Sequence, residues 1–151
     1  MIQKHKISVV IPTKNEERTI QEIVEGCRKY GDEVLVIDGH SLDKTRERAA
    51  AAGAKVMLDN GRGKGAALRL AIKEAHGDII VFIDADGSHD PADIPKIINP
   101  IIEGGADMVI GSRLKGGSDE LGTTFSEVLR LYGGRFLALV INLRFRQNIT
   151  D

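Results

Sequence analysis

The chain has 151 residues, 42% of them hydrophobic and 28% charged, which suits one compact domain with a buried core and leaves no room for a second of full size. Its formal net charge of -1, with Lys and Arg spread along the chain, excludes the broad positive footprint of a nucleic-acid binder. A single cysteine, Cys27, excludes an internal disulfide or a multi-cysteine zinc site and fits a reducing compartment; with a polar N-terminus and no run near the roughly 18 apolar residues of a spanning helix, a cytoplasmic protein is expected.

In chain order, continuous apolar runs recur at Ile7–Ile11, Glu33–Ile37, Ala54–Leu58, Ile79–Ile83 and Asp107–Ile110, each followed by a helix-like or turn-rich stretch. Continuous rather than alternating runs suit parallel strands covered on both faces. The first crossover carries Ile20, Ile23, Val24 and Cys27 on one helical stripe, with Thr13 and Glu16 spaced to open it as a capping box. Cys27 is therefore expected in the core. A later crossover sets Asp90 as N-cap before Pro91, with Ile94, Ile97, Ile98, Ile101 and Ile102 on one face; Pro100 is expected to kink or shorten that helix. The pattern predicts an α/β fold, an open, mostly parallel twisted sheet with helices on both faces, in which ligands bind outside the carboxyl ends of the strands. Beyond Gly111 the regularity changes. The apolar stretch Leu137–Ile141, flanked by Arg135, Arg144 and Arg146, reads as a buried helix or as a contact with a membrane surface, and its shortness favours burial.

Several strand ends carry chemistry. Ile79–Ile83 runs straight into Asp84-Ala85-Asp86, and carboxylates two apart on an extended chain point to one side, so both can reach one hard cation. Magnesium or manganese held this way takes its remaining ligands from water and substrate phosphates; the plain alternative is a turn completed by Gly87 and Ser88. Asp38 ends the second strand before Gly39-His40-Ser41, where it faces a ligand or bonds its own backbone. Pro12-Thr13-Lys14-Asn15-Glu16 ends the first, with Glu16 free to serve the helix cap instead. Arg113, after the fifth run, is shaped to pair with phosphate oxygens or is simply solvated. His89 fits a local hydrogen bond better than a metal ligand.

Taken together, Val9-Val10-Ile11-Pro12-Thr13-Lys14-Asn15-Glu16, Val36-Ile37-Asp38-Gly39 with Ser41, Gly63-Lys64-Gly65-Ala66-Ala67-Leu68, Asp84-Ala85-Asp86 and Gly111-Ser112-Arg113 resemble the family 2 glycosyltransferases of the GT-A fold, in particular the dolichol-phosphate mannosyltransferase branch. The resemblance implies that Pro12, Thr13, Glu16, Asp38 and Lys64 belong to the nucleotide-sugar site, that Asp84, Ala85 and Asp86 hold metal and diphosphate, and that Arg113 contacts the phosphates. It implies a donor linked to UDP or GDP, a Mg2+ or Mn2+ cofactor, and a polyprenyl phosphate acceptor at the inner face of a membrane. Asp86, through the cation, and Arg113 would then drive inverting transfer of a hexose by neutralising the departing diphosphate. Ser88 departs from the glutamine that branch often carries two residues after the acidic pair. The family pattern also divides the chain into a donor-binding core over 1–113 and the start of an acceptor-side segment over 114–151 that reads as truncated, to be completed by more chain or by a homo-oligomer mate. Two rivals stand beside this reading. One is a nucleotide-sugar-binding protein without turnover; the other is a dinucleotide-binding module, on the strength of Gly61-x-Gly63-x-x-Ala66 before a helix, which leaves Asp86, Asp38 and Arg113 unexplained.

Overall fold

A parallel strand buried on both faces needs apolar residues at consecutive positions; four of the five runs form strands, and those through Val9–Ile11 and Val34–Ile37 are buried at every position. The computed structural model describes residues 5–61 and 63–111, most of them in a compact unit that ends at Val109. In chain order these form β1 (Ile7–Thr13), α1 (Ile20–Cys27), β2 (Glu33–Asp38), α2 (Thr45–Ala51), β3 (Lys55–Leu58), α3 (Lys64–Glu74), β4 (Ile79–Phe82), a 3-10 turn (Pro91–Asp93) and α4 (Ile94–Ile102). The strands are all parallel, in the order β3-β2-β1-β4. Register aligns Thr13 with Asp38 and Asp38 with Leu58, so three strands end flush at one edge.

Alternation within each strand divides the core in two. Val9, Ile11, Val34, Val36, Ile79 and Val81 point to the face covered by α1, α2 and α4, where Ile20, Ile23, Val24, Cys27, Ile94 and Ile98 fill the layer. Val10, Leu35 and Ile37 point to the other face, covered by Ala67 and Ala71 of α3. The division follows from chirality. The chain steps from β1 to β2 to β3 in one direction and then returns to the far side of β1, and right-handed crossovers put helices of opposite direction on opposite faces. Cys27 is fully buried as expected, and burial pushes its thiol up to about 11.

Two expectations need correction. Thr13 and Glu16 form no capping box: pairing with Ile37 and Asp38 carries β1 on through Pro12 and Thr13, and the helix starts at Ile20 with Thr19 as its N-cap residue. Asp107–Ile110 forms no strand among the described residues, and Met108 and Ile110 lie exposed. With Met108 and Ile110 exposed among the described residues, the run lacks the two-sided burial of β1 and β2. Asp90 is the expected N-cap before Pro91: it accepts from the Ala92 N–H at 2.9 Å and opens the 3-10 turn that leads into α4. Pro100 is accommodated near the end of α4, which stops at Ile102; the Pro100 carbonyl then accepts from Gly105 and Ala106 as Gly104 turns the chain at φ 72°.

Candidate functional site

Because β4 returns beside β1 rather than following β3, the sheet has its topological switch point between β1 and β4, and the loops leaving their carboxyl ends diverge. A cleft of about 500 Å³ opens there, within the usual size of a small-ligand site. Pro12, Thr13 and Glu16 line it from the β1 loop, and Asp84 and Asp86 from the β4 loop. Gly63 and Lys64 bring the start of α3, uncapped by any side chain, to the same cleft.

The β4 loop presents its acids by burying what lies between them. Ala85 is 3% exposed, and its carbonyl accepts the Thr19 hydroxyl at 2.6 Å, which pins the loop to the start of α1. Ala85 is thus a spacer that sends Asp84 and Asp86 outward rather than a side chain in contact with the cleft. Asp86 accepts the Ser88 N–H at 2.9 Å; the Ser88 hydroxyl first, and its N–H second, hold the Asp86 carboxyl below the usual carboxylate range, so it is ionised at neutral pH. Gly87, at φ 83°, makes the turn that lets Ser88 reach back. Lys64 Nζ lies 2.7 Å from Asp84 Oδ1, and His89 Nδ1 accepts the Asp84 N–H at 3.3 Å, the local role expected of it. Two hard oxygen donors at one side of a cleft suit a divalent cation that completes its sphere with phosphate and water. No cluster of three or more acidic, histidine or cysteine side chains occurs among the described residues, so a dedicated all-protein metal cage is not what this region offers.

The opposite wall is built by side chains bonding neighbouring loops. Asn15, at φ 57°, donates its N–H to the Ser41 hydroxyl at 2.8 Å, and Glu16 donates its N–H to the Thr45 hydroxyl at 2.8 Å. Thr13 Oγ1 is buried without a hydrogen-bond partner among the described residues, although Thr13 lines the cleft, and buried hydroxyls are nearly always paired. Asp38 is fully buried and sits behind the wall. Its carboxylate accepts both the hydroxyl and the N–H of Ser41, the latter at 2.9 Å, with Arg46 Nε 3.8 Å away. The expectation that Asp38 itself lines the pocket is corrected: its bonds to Ser41 turn it inward, and it shapes the cleft through that serine. Arg113 lies outside the described residues.

Two lining residues escaped the sequence reading. His40 and Asp59, at the ends of β2 and β3, form the far end of the cleft with Gly61. Asp59 follows an apolar strand as Asp38 and Asp84 do, so its position carried a signal; the partnership with His40 depends on β2 and β3 being neighbours. The Gly61–Gly63 turn follows an edge strand, whereas a dinucleotide fingerprint opens the first crossover at the sheet's centre.

Residues 8–147 match the model of glycosyl transferase family 2. Glycosyltransferase AglJ of Haloferax volcanii is 40% identical over 71% of this chain and 36% of its own. Dolichol-phosphate mannosyltransferase of Pyrococcus furiosus is 37% identical over 76% of this chain and 35% of its own. Among solved structures, glucosyl-3-phosphoglycerate synthase of Mycobacterium tuberculosis in complex with Mn2+, UDP-glucose and phosphoglyceric acid superposes with a TM-score of 0.60 at 34% identity, over 66% of this chain and 40% of that one. The chain therefore spans well under two thirds of the length of these relatives.

Proposed function

Because the chain belongs to glycosyl transferase family 2 and has that family's GT-A type of open parallel sheet, we propose that its cleft binds a nucleoside diphosphate hexose and serves transfer of the hexose to a polyprenyl phosphate. The observation that carries this reading is the pair Asp84 and Asp86 at the switch point, facing Lys64 across the cleft. Their carboxylates would hold Mg2+ or Mn2+ against the donor diphosphate, as the M. tuberculosis relative was crystallised with Mn2+ and UDP-glucose. Once bound, the cation supplies a Lewis acid that neutralises charge on the departing diphosphate.

The chain's own groups do the rest. Lys64 leaves Asp84 for a phosphate oxygen, and Arg113 adds a second positive charge, so that the leaving group is stabilised as the anomeric bond breaks. Thr13 Oγ1, Pro12 and the Glu16 loop hold the nucleoside. An acceptor phosphate is already ionised at neutral pH and needs no strong general base; it attacks from the face opposite the diphosphate, and the anomeric centre inverts. The P. furiosus relative, a dolichol-phosphate mannosyltransferase, supports this acceptor class. No helix among the described residues is long and apolar enough to cross a membrane. The test is to supply radiolabelled UDP-glucose or GDP-mannose, Mn2+ and a detergent-dispersed polyprenyl phosphate. Label should enter the organic phase and fail to do so with Asp86→Ala; label passing only to a water-soluble acceptor would overturn the lipid acceptor and leave the donor site standing.

A further inference from the structure

Resting on the donor-site reading above, we propose that Thr19 is a positioning residue for the cation: by holding the Ala85 carbonyl, it sets the spacing at which Asp84 and Asp86 meet Mg2+ or Mn2+. A threonine at a helix N-cap ordinarily turns its hydroxyl to the N–H of the second or third helical residue. Thr19 is the N-cap residue of α1, yet its side chain makes no such bond. Its backbone, at φ -108° and ψ -29°, is already helical, and the hydroxyl donates instead to the carbonyl of Ala85, 66 residues further along the chain. The helix start is left without a side-chain cap, and the β4 loop receives the donor.

That loop has need of it. β4 ends at Phe82, and the Ile83 N–H, donating to the Val10 carbonyl at 3.1 Å, makes the last bond to the sheet among the described residues before the acidic pair. Ala85 is 3% exposed, and among the described residues its carbonyl accepts only the Thr19 hydroxyl, at 2.6 Å. Buried carbonyls are nearly always paired, so one that loses its donor turns toward water. This carbonyl belongs to the peptide that joins Ala85 to Asp86, and turning it swings Asp86 relative to Asp84. The other branch of the side chain supports the same acid. Thr19 Cγ2 lies 3.7 Å from where a Cβ on Gly87 would stand, so the methyl backs the turn, at φ 83°, that follows Asp86. Thr19 thus brackets Asp86, with its hydroxyl on the residue before and its methyl beside the residue after. It is itself fixed, since its N–H donates to the Glu16 carbonyl at 3.2 Å. Asp84 is held separately, by His89 at its N–H and by Lys64 at its carboxylate. Magnesium in particular demands near-ideal ligand geometry, and groups that hold metal ligands from behind change metal affinity about 10–100-fold when removed.

Titration calorimetry of the full chain with UDP and with GDP, repeated over a series of Mn2+ concentrations, gives the Mn2+ midpoint for nucleotide binding without any turnover. Thr19→Val keeps the branched shape and removes the hydroxyl, and should raise that midpoint about tenfold or more. Thr19→Ser keeps the hydroxyl and should stay within about threefold of the wild type. If Thr19→Val does not melt cooperatively, Thr19→Ala is read in its place, with the same expected loss. Gly77→Ala, which crowds the Ser8 amide and the Lys6 carbonyl at the opposite end of the sheet, serves as a destabilised control and should leave the midpoint unchanged. A midpoint unmoved in Thr19→Val, one that moves as far in Thr19→Ser, or one that moves as far in Gly77→Ala overturns the proposal while the donor site stands. A wild type that binds neither nucleotide, or binds them equally well without Mn2+, overturns the donor-site reading itself.

Discussion

Replacing Asp38 by alanine separates a residue that builds the cleft from one that touches its ligand. In the wild type the buried carboxylate accepts two hydrogen bonds from Ser41, and the Ser41 hydroxyl in turn accepts the Asn15 N–H, so one side chain ties the β2 loop to the β1 loop. Asp38→Ala leaves the Ser41 N–H and hydroxyl without their acceptor and takes away the carboxylate beside Arg46 Nε, a buried atom with no hydrogen bond among the described residues. Hydrogen bonds to a charged group contribute about 1.5–3 kcal/mol each, and removing one partner of a buried charged contact costs about 3–5 kcal/mol in all. At a urea slope of about 2 kcal/mol/M, the midpoint of unfolding should fall by about 1.5–2.5 M. Asp38→Asn keeps one acceptor in nearly the same shape and should lose about half as much. Urea titration followed by circular dichroism reads both. A midpoint for Asp38→Ala within about 0.3 M of wild type, together with loss of nucleotide binding, would instead place Asp38 at the cleft wall in contact with the ligand.

Two further outcomes follow from features away from the cleft. A Cβ on Gly77 would lie 2.6 Å from the Ser8 amide nitrogen and 2.9 Å from the Lys6 carbonyl oxygen, both backbone, so Gly77→Ala should cost about 1–3 kcal/mol as β1 and the turn before β4 are forced apart, read as a lower melting temperature. Glu33 accepts the Ser8 hydroxyl at 2.6 Å and the His76 N–H at 3.0 Å; burial raises its pKa, but these bonds and the neighbouring imidazole outweigh it and hold it below the usual value of 4.5. A carboxyl whose pKa is lower folded than unfolded stabilises the protein above about pH 4.5 and loses that stabilisation as pH falls through its folded pKa. Stability measured from pH 6 to about 3 should therefore fall less steeply in Glu33→Gln than in the wild type.

Much of this molecule could be read from the chain because its signals are local. Val9-Val10-Ile11 and Val34-Leu35-Val36-Ile37 are apolar at every position, which only a two-sided parallel strand uses fully, and an acid at the end of such a strand, as at Asp84, is carried to the ligand edge of the sheet. What failed depended on neighbours. Thr13 and Glu16 have the spacing of a capping box, but pairing with β2 draws Thr13 into the strand. Asp38 and Asp84 look alike in sequence; Ser41, three residues on, turns the first inward, whereas the second stays at the cleft and pairs with Lys64. His40 carried no signal at all, since its backbone conformation and its contact with Asp59 exist only when β2 and β3 lie side by side.

On the proposed reading, Asp84 and Asp86 hold a divalent cation and a nucleoside diphosphate together at the β1–β4 switch point. Thermal unfolding of the chain with UDP or GDP, each with and without Mn2+, tests it most directly, alongside Asp84→Ala and Asp86→Ala. Ligand at about a hundred times its Kd stabilises by about 2.7 kcal/mol, or about 5–10 °C for a chain of this size. That shift is expected only when nucleotide and Mn2+ are both present, and is expected to vanish in either variant. A nucleotide shift that is the same without Mn2+, or that survives in both alanine variants, would contradict it.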